Sequence, residues 1–311
     1  MINKSLNILF FLFCSFCFGQ EFSETELRIP TNSETIQGNL IQVSSTGKTP
    51  LVIIIPGSGP TDRNGNNAQM KNNSLKYLAE GLANENISSY RFDKSVLSFG
   101  ADAKAKVDSL KFETFIEEAK SVILHFKNSD EYAKIIVAGH SQGSLVGLIA
   151  AQENVSKFIS IAGPGRSLDI ILAEQIEKQA PFLLEETNRV LSELKQGKTV
   201  EEFNFMLNSL FNKNVQPFLI SWLKYNPQDE IKKLMIPPLI INGSKNLQVN
   251  NLDAKLLNKA NLNSEHEIIQ NMNHILKEIK GDMTENMNSY ANPELPIMPE
   301  LVEIISAFIK K

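Results

Sequence analysis

The feature that most constrains the fold is an alternation of short apolar runs with longer amphipathic segments. The apolar runs occupy residues 51–55, 134–138, 158–162 and 237–243. Runs of this kind, bounded by Gly and Pro, are typical of strands buried on both faces of a parallel sheet. Helical patterns lie between them at residues 72–85, 108–127 and 251–260. This order predicts an α/β fold with a mostly parallel central sheet, flanking helices and right-handed crossovers.

Weaker patterns complete the predicted sheet. Further strands are predicted at residues 24–30, 34–43, 88–92 and 265–270, and a final helix at 299–310. Gly38 interrupts the second of these strands, which predicts a bulge or a turn at that position.

The alternation is interrupted once, between residues 166 and 235. This stretch has only helical patterns, rich in Leu, Phe, Glu and Lys, and strand patterns resume at residue 237. A helical insertion between two core strands predicts a cap over the carboxyl edge of the sheet. The predicted core is therefore residues 20–165 with 236–311, and the predicted cap is residues 166–235.

The N-terminal segment has a different composition. Lys4 precedes a nearly unbroken apolar run from Leu6 to Phe18, and the sequence then turns polar. This pattern predicts a signal peptide over residues 1–19 and an exported protein, periplasmic or extracellular. As a helix the run is about 20 Å long, too short to cross a bilayer as an anchor. A lipid anchor at Cys17 is the other alternative.

Composition excludes several classes of function. The 311 residues are 42% hydrophobic and carry a formal net charge of −4. This suffices for one large core, and it argues against a nucleic-acid-binding surface. Both cysteines lie within residues 1–19, so disulfides cannot hold the mature fold. No metal-ligand spacing and no dinucleotide or phosphate-loop motif occurs, so neither a metal nor a cofactor is expected.

The turn after residues 134–138 carries a chemical motif. Gly139-His140-Ser141-Gln142-Gly143 has the form Gly-X-Ser-X-Gly, follows a predicted strand and opens a helical pattern. In that context the motif forms a tight turn that holds the serine hydroxyl above the sheet. A Cβ at either flanking glycine would clash with the neighbouring strand and helix. The pattern predicts Ser141 as a nucleophile, with a chance glycine-rich turn as the alternative.

Further motifs extend the pattern along the chain. They are Gly57-Ser58-Gly59-Pro60-Thr61-Asp62-Arg63, Arg91-Phe92-Asp93-Lys94, Gln216-Pro217-Phe218-Leu219 with Ser221-Trp222, and Met272-Asn273-His274. With these, the chain resembles the α/β-hydrolase superfamily over essentially its whole mature length, in particular exported bacterial hydrolases. The resemblance implies serine-hydrolase chemistry without a cofactor and a small-molecule acyl substrate. The charged residues Asp62, Arg63, Arg91 and Asp93 are interpreted as structural ion pairs near the rim of the site.

The resemblance also implies roles for site residues. Backbone N–H groups of Ser58 (or Gly59) and Gln142 would stabilise the oxyanion, and His274 would be the base, because it follows the acid position in chain order. The other histidines fit less well. His125 lies in a helix, His140 within the turn with its side chain expected to point away from the nucleophile, and His266 in a strand.

A third residue, an acid that holds the imidazole of His274, is expected in the family. At this position the chain departs from the family. The family usually has Gly-X-X-Asp-Leu-Gln-Val, whereas this chain has Asn246 within Gly243-Ser244-Lys245-Asn246-Leu247-Gln248-Val249. An amide can hold the imidazole tautomer but cannot offset the imidazolium charge. Asn246 is the favoured third member, and Asp253 and Asp169 are the alternative carboxylates.

The predicted reaction is hydrolysis of a carboxylic ester through an acyl-enzyme at Ser141. A thioester or peptide substrate would use the same machinery. A catalytically weak or inactive binding protein on the same fold is the rival hypothesis, because of Asn246. Cap residues Phe203, Phe205, Leu207, Phe211, Phe218 and Trp222 are expected to pack among cap helices or to line an acyl pocket. The sequence leaves the oligomeric state open.

Overall fold

A computed structural model of the protein describes residues 22–31, 34–98 and 108–311. The predicted signal peptide and both cysteines lie outside these described residues. Eight strands form one sheet in the order β1-β2-β4-β3-β5-β6-β7-β8. The strands are β1 Phe22–Pro30, β2 Thr35–Val43, β3 Leu51–Ile55, β4 Ser88–Phe92, β5 Ile135–His140, β6 Lys157–Ile161, β7 Pro238–Gly243 and β8 Glu265–Ile269.

Helices follow most of the parallel strands. They are α1 Ser74–Asn84, α2 Phe112–Ser129, α3 Gln142–Ala150, α4 Leu168–Gln179, α5 Leu184–Lys195, α6 Asn208–Phe211, α7 Gln216–Trp222, α8 Pro227–Ile231, α9 Asn251–Ala260, α10 Met283–Ser289 and α11 Pro299–Lys310. Short 3₁₀ segments occupy Ser95–Ser98, Pro181–Leu183 and Phe205–Leu207. No helix within the described ranges is both long enough and apolar enough to cross a bilayer.

Strand pairing confirms the predicted, mostly parallel sheet. β1 pairs with β2, and β2 with β4, in antiparallel fashion, while β4, β3, β5, β6, β7 and β8 are parallel to their neighbours. The carboxyl ends of β3, β5, β6, β7 and β8 therefore meet at one edge of the sheet. The residues predicted for the site lie in the loops that follow these strands or in the helices that come next, as Gln142, Asp169 and Asp253 do.

Hydrophobic layers cover both faces of the sheet. On one face, the apolar side of α2, including Phe115 and Val122, packs with α3 against β3 and β5. On the other face, Leu78 of α1 and Ile305 of α11 are completely buried against the opposite side of the same strands. Truncation of one such side chain to Ala typically costs about 2–5 kcal/mol of stability. The sheet is therefore a rigid support for the loops at its carboxyl edge.

The segment between β6 and β7 contains helices and no strand among the described residues, and it has its own apolar cluster. That cluster is formed by Leu183, Val190, Leu191, Leu194, Val200, Leu207, Phe211, Leu219 and Leu223. Helix α7 also contacts the core, because the Trp222 ring stacks on Phe112 with ring centroids 5.3 Å apart. The Ser221 hydroxyl accepts a 2.7 Å hydrogen bond from Phe112 N. One face of α7 thus joins the inserted helices to α2.

The prediction of a bulge or turn at Gly38 is wrong. Gly38 pairs in regular register with Leu27 of β1 and with Phe92 of β4. A Cβ at this position would lie 2.3 Å from the Tyr90 ring. Glycine is required here because the tyrosine ring lies across the strand, and the strand itself remains regular.

Candidate active site

Ser141 lies at the junction between β5 and α3, in a strained backbone conformation. Its φ is 54° and its ψ is −123°, a region that residues with a side chain rarely occupy. A Cβ on Gly139 would lie 2.2 Å from Gly143 O, and one on Gly143 would lie 2.4 Å from Ile55 O. Both flanking glycines are therefore required by close backbone approach. The tight turn places the serine at the carboxyl edge of the sheet.

His274 approaches the same place from the loop after β8. Its Nδ1 lies 3.1 Å from Asn246 Oδ1. Because an amide oxygen only accepts, this contact places a proton on Nδ1 and leaves Nε2 free to take one. Ser141 and His274 line one small cavity of about 80 Å³. The hydrogen bonds of the imidazole among the described residues do not include one to Ser141 Oγ, a contact that in active sites often forms only when substrate binds.

The orientation of the Asn246 amide is fixed by its neighbours. Its Oδ1 also accepts hydrogen bonds from Gln248 N and Val249 N, both at 3.0 Å. Its Nδ2 donates to Asn242 Oδ1 at 2.7 Å. Asn242 is fixed in turn, since its own Nδ2 donates to Val249 O and Asn250 O at 3.1 Å. Two consecutive side-chain amides therefore determine which atom faces His274.

The two alternative carboxylates lie elsewhere. Asp253 is completely buried and forms a bidentate pair with Arg166, with N–O distances of 3.0 and 2.8 Å. Asp169 lies on α4, where its Oδ2 pairs with Lys195 Nζ at 2.6 Å. Both carboxylates are thus engaged by basic side chains, and the structure brings Asn246 to the imidazole.

His140 supports the His274 loop. Its Nε2 donates a 2.8 Å hydrogen bond to His274 O, and the two ring centroids are 4.9 Å apart. The His140 ring lines the small cavity together with Ser141, so its side chain does not point away from the site. Burial, and then the neighbouring His140, hold the pKa of His274 well below its usual value. Burial also lowers the pKa of His140. Both imidazoles are therefore neutral at neutral pH.

The loop after β3 faces the serine from the other side. Ser58 is exposed in this loop, and Gln142 is the first residue of α3, where backbone N–H groups lack helical acceptors. Lys94 Nζ donates to Gly57 O at 2.6 Å and to Gly59 O at 2.9 Å, and it lies 3.5 Å from Gln142 Oε1. One buried ammonium group thus contacts both sides of the predicted oxyanion site.

A second, larger cavity also reaches Ser141. It has a volume of about 420 Å³, and apolar side chains of α4 and α7 form most of its wall. Ser58, Gly59 and Gln142 line it beside the serine, whereas His274 lines only the small cavity. The nucleophile therefore lies between a large, mainly apolar cavity and a small cavity with a mixed polar and apolar lining.

Comparison with solved structures gives the fold a name. Est1E from Butyrivibrio proteoclasticus superposes with a TM-score of 0.59 over 92% of this chain and 99% of its own, at 16% identity. The α/β hydrolase GrgF from Penicillium sp. sh18 gives 0.57 over 86% and 96%, at 17% identity. The chain has the α/β-hydrolase fold. The esterase domain of a Rhodothermus marinus protein gives 0.56 over 93% and 98%, at 12% identity. No family model and no curated protein matches the sequence.

The charged motifs of this α/β-hydrolase fold are engaged with each other. Arg63 Nη2 pairs with Asp93 Oδ2 at 2.7 Å, and Arg91 Nη2 pairs with Glu24 Oε1 at 2.5 Å. Asp62 accepts backbone hydrogen bonds from Asn64 and Asn66 and has no ion pair among the described residues. The interpretation as structural ion pairs holds for Arg63, Asp93 and Arg91, and it is wrong for Asp62, which orders its own loop.

The apolar cap residues named from the sequence divide between the larger cavity and the separate apolar cluster, with one residue exposed. Phe218 and Trp222 line the larger cavity of this α/β-hydrolase fold. Leu207 and Phe211 are buried in the separate apolar cluster, with Phe203 packed against it, while Phe205 is 84% exposed. Sequence patterns could not separate these groups, because both are apolar at helical spacing.

Sequence reasoning gave no role at the site to Lys94, Asn242 or Tyr290. Lys94 belongs to a motif shared with the resembling hydrolases, but its contact with the Gly57 and Gly59 carbonyls requires the tertiary structure. Asn242 ends an otherwise aliphatic strand and is 1% exposed, and a polar residue in that position was the available signal. Tyr290 follows helix α10, which no periodic pattern predicted.

Proposed function

We propose that the chain is an exported serine hydrolase that cleaves carboxylic esters through an acyl-enzyme at Ser141. The observation that carries the proposal is the strained serine at a strand-to-helix junction, sharing a cavity with an imidazole whose Nδ1 faces an amide oxygen. Solved structures named as esterases share the fold, which supports ester hydrolysis. The N-terminal apolar run supports export.

In the first half of the reaction, Ser141 Oγ attacks the ester carbonyl carbon, and its proton passes to His274 Nε2. The carbonyl oxygen becomes an oxyanion that accepts hydrogen bonds from the N–H groups of Gln142 and Ser58. Collapse breaks the bond to the alcohol oxygen, which takes the proton from His274. The products of this step are the free alcohol and an ester of Ser141.

In the second half, water attacks the acyl-enzyme carbonyl and gives its proton to His274. The second oxyanion collapses, Ser141 Oγ recovers the proton and the carboxylic acid leaves. The low pKa of His274 keeps the imidazole unprotonated before each step, so that it can accept the proton at neutral pH.

Asn246 limits the rate of both halves. The imidazolium that forms at His274 meets an amide dipole at 3.1 Å where a carboxylate would supply a full charge. In chymotrypsin-like proteases the corresponding Asp-to-Asn change lowers turnover about 10⁴-fold. Slow turnover is therefore part of the proposal.

The amide also favours the rival function, a binding protein that keeps the fold and cavities without efficient turnover. Thioesters and peptides remain substrates of the same machinery. A fluorophosphonate probe and p-nitrophenyl acetate distinguish enzyme from binder, because both react with an activated serine regardless of the natural substrate.

We expect labelling of the purified protein and its loss in Ser141→Ala. Ser144→Ala is the matched control, because Ser144 is buried on the same helix with its Oγ bonded to Ser160 Oγ at 2.7 Å. Retained labelling in Ser141→Ala, or no reaction in any variant, would refute the enzyme proposal.

A further inference from the structure

Two cavities of different size and lining meet at Ser141, and we infer from them which half of the ester each one takes. The larger cavity takes an apolar acyl chain of medium length, and the small one takes a short hydroxylated alcohol. The substrate class is therefore an ester of a medium-chain fatty acid with a glycol-like or glycerol-like alcohol. The inference rests on the proposed function, because it assigns the two sides of the same nucleophile.

The position of His274 fixes the direction of the ester. His274 must return its proton to the leaving alcohol oxygen, so that oxygen lies on the imidazole side of the attacked carbon. The imidazole lines only the small cavity. The acyl chain is attached to the same carbon and must extend the other way, past Ser58 and Gln142 into the larger cavity.

The size and walls of the larger cavity suit an aliphatic chain. Its volume of about 420 Å³ is within the usual range for small-molecule sites. Its apolar wall consists of Leu168, Ile171, Leu172, Leu210, Val215, Phe218, Leu219 and Trp222. No charged side chain lines it among the described residues, so a charged acyl group would find no partner there.

The small cavity differs in its size and in the polar groups on its wall. At about 80 Å³ it has room for only a few non-hydrogen atoms, at about 30 Å³ for each water-sized group. Thr61, Asn67 and Tyr290 supply polar groups to its wall. The Tyr290 hydroxyl accepts a hydrogen bond from Gln248 Nε2 at 3.2 Å, and its own proton has no acceptor among the described residues. That proton is available to a second hydroxyl of the alcohol.

A pair of isomeric esters tests the assignment. 2-Hydroxyethyl octanoate and octyl hydroxyacetate have the same atoms, but the long chain is on the acyl side in the first and on the alcohol side in the second. We expect kcat/KM to be at least about tenfold higher for the first, since even one misplaced methylene can change discrimination by that factor. Equal rates, or a preference for octyl hydroxyacetate, would overturn the assignment.

Two variants test which cavity binds the acyl half of the ester and which binds the alcohol half. Ile171→Trp fills the larger cavity and should lower kcat/KM for the octanoate at least about tenfold more than it lowers kcat/KM for p-nitrophenyl acetate. Ile170→Trp is the matched control, because the neighbouring side chain is 49% exposed and does not line that cavity. Tyr290→Phe should remove the preference for 2-hydroxyethyl octanoate over propyl octanoate. An octanoate rate unchanged by Ile171→Trp would place the chain elsewhere.

The failure of this inference differs from failure of the proposed function. If the chain is no hydrolase, neither isomer is cleaved and the fluorophosphonate probe does not label Ser141. If only the orientation is wrong, labelling and p-nitrophenyl acetate hydrolysis persist while the order of the two isomers reverses or disappears.

A separate observation concerns Lys94, and we propose that it is a positioning residue for the oxyanion loop. Its Nζ bridges two carbonyls of that loop, Gly57 O and Gly59 O, and reaches Gln142 Oε1 at 3.5 Å. Holding these carbonyls turns the intervening peptide groups so that the Ser58 N–H remains near the serine. Preorganised donors of this kind act on the transition state more than on bound substrate.

The surroundings of Lys94 explain why a lysine is needed there. It is 2% exposed and lies 4.9 Å from the centroid of the Phe115 ring. Glu118 is the only charged group that acts on it within the described residues, and burial lowers the pKa of Lys94 to about 7. A flexible chain that ends in several N–H donors is what two converging carbonyls require.

Lys94→Met tests this role, with Lys157→Met as the matched control. Lys157 is also buried, its Nζ donates to Phe308 O, and it lies 4.5 Å from the centroid of the Phe308 ring, at the opposite edge of the sheet. We expect Lys94→Met to lower kcat at least about tenfold with little change in KM, since one lost oxyanion donor typically costs 10²–10³-fold. Phosphonylation of Ser141 should slow in parallel.

Lys157→Met should leave kcat unchanged even if it lowers the thermal midpoint. Lys94→Gln keeps one donor, so it should show an intermediate kcat, and it provides a second test if Lys94→Met fails to fold. A folded Lys94→Met with wild-type kcat, or an equal loss in both methionine variants, would overturn the positioning role.

Discussion

Replacing Asn246 with Asp restores a carboxylate beside His274 and is the most direct test of the site. The introduced carboxylate would lie about where Asn246 Oδ1 lies now, 3.1 Å from Nδ1, and would offset the imidazolium charge during both halves of the reaction. The reverse change in a chymotrypsin-like triad is worth about 10⁴-fold, or about 5 kcal/mol of barrier height.

The structure also predicts an opposing effect. The second carboxylate oxygen would face Asn242 Oδ1, which now accepts a hydrogen bond from Asn246 Nδ2 at 2.7 Å. Asn242 cannot turn to donate instead, because its Nδ2 is bound to Val249 O and Asn250 O. Asn242 Oδ1 would keep only its 2.8 Å hydrogen bond from Gly243 N, and the carboxylate oxygen facing it would lack a donor, which costs about 1–3 kcal/mol. This cost is present in the resting enzyme as well, so it lowers stability more than turnover.

We therefore expect Asn246→Asp to raise kcat about 10²- to 10³-fold, below the full 10⁴ because the carboxylate is displaced by the facing oxygen. The free energy of unfolding should fall by about 1–3 kcal/mol. Turnover is measured with a short-chain ester, and stability by urea denaturation.

Asn261→Asp is the matched control. Asn261 is buried, its Nδ2 donates to Ile231 O at 2.8 Å and its Oδ1 accepts from Asn263 N at 3.1 Å, remote from the histidines. It should lose comparable stability without any gain in kcat. If Asn246→Asp is no faster than the wild type while still folded, Asn246 is not the third member of the site.

Three further predictions follow from the geometry. Ser141→Gly should raise the free energy of unfolding by about 1–3 kcal/mol in thermal or urea denaturation, because glycine relieves the strained φ of 54°; a loss of stability would contradict the strain. The pKa of His274 lies below its value in the unfolded chain, so the unfolded state binds more protons on acidification. The free energy of unfolding, measured over a pH series, should therefore fall below about pH 6.5. The value of kcat/KM should persist below that pH, because His274 remains unprotonated in the folded protein. A midpoint of the kcat/KM profile at or above about pH 6.5 would refute the lowered pKa of His274. Asp253→Ala should cost about 3–5 kcal/mol in the same denaturation assay, because the completely buried carboxylate accepts hydrogen bonds from Gly165 N, Arg166 N and the Arg166 guanidinium; a cost below about 1 kcal/mol would argue against that pair.

The fold was largely predictable because its signals are local. The aliphatic run at 51–55 and the Gly139–Gly143 turn each specify their own conformation, and Ser141 follows from that turn alone. The seven-residue helix α10 was missed, since it is too short for a periodic signal. Gly38 was misread because a tyrosine ring from another strand, and not the local backbone, explains the glycine.

The site was predictable only in part because its second layer is assembled from distant segments. The role of His274 was inferred from chain order in a resembling family, and the position of Asn246 from a motif of that family. The contacts of Lys94 with the Gly57 carbonyl and of Asn242 with Asn246 join residues whose side chains have no periodic signature. Nor could sequence show that His140 faces the cavity, because its partner His274 is 134 residues away.

The packing of helix α7 against the core limits which walls of the larger cavity can change without affecting folding. Its Trp222 and Ser221 support the Phe112 end of α2, so a change on this wall disturbs folding as well as ligand choice. The opposite wall includes Ile171, a partly buried α4 residue outside the apolar clusters. Substitutions at Ile171 can therefore change the acyl group with less effect on folding than substitutions on the α7 wall.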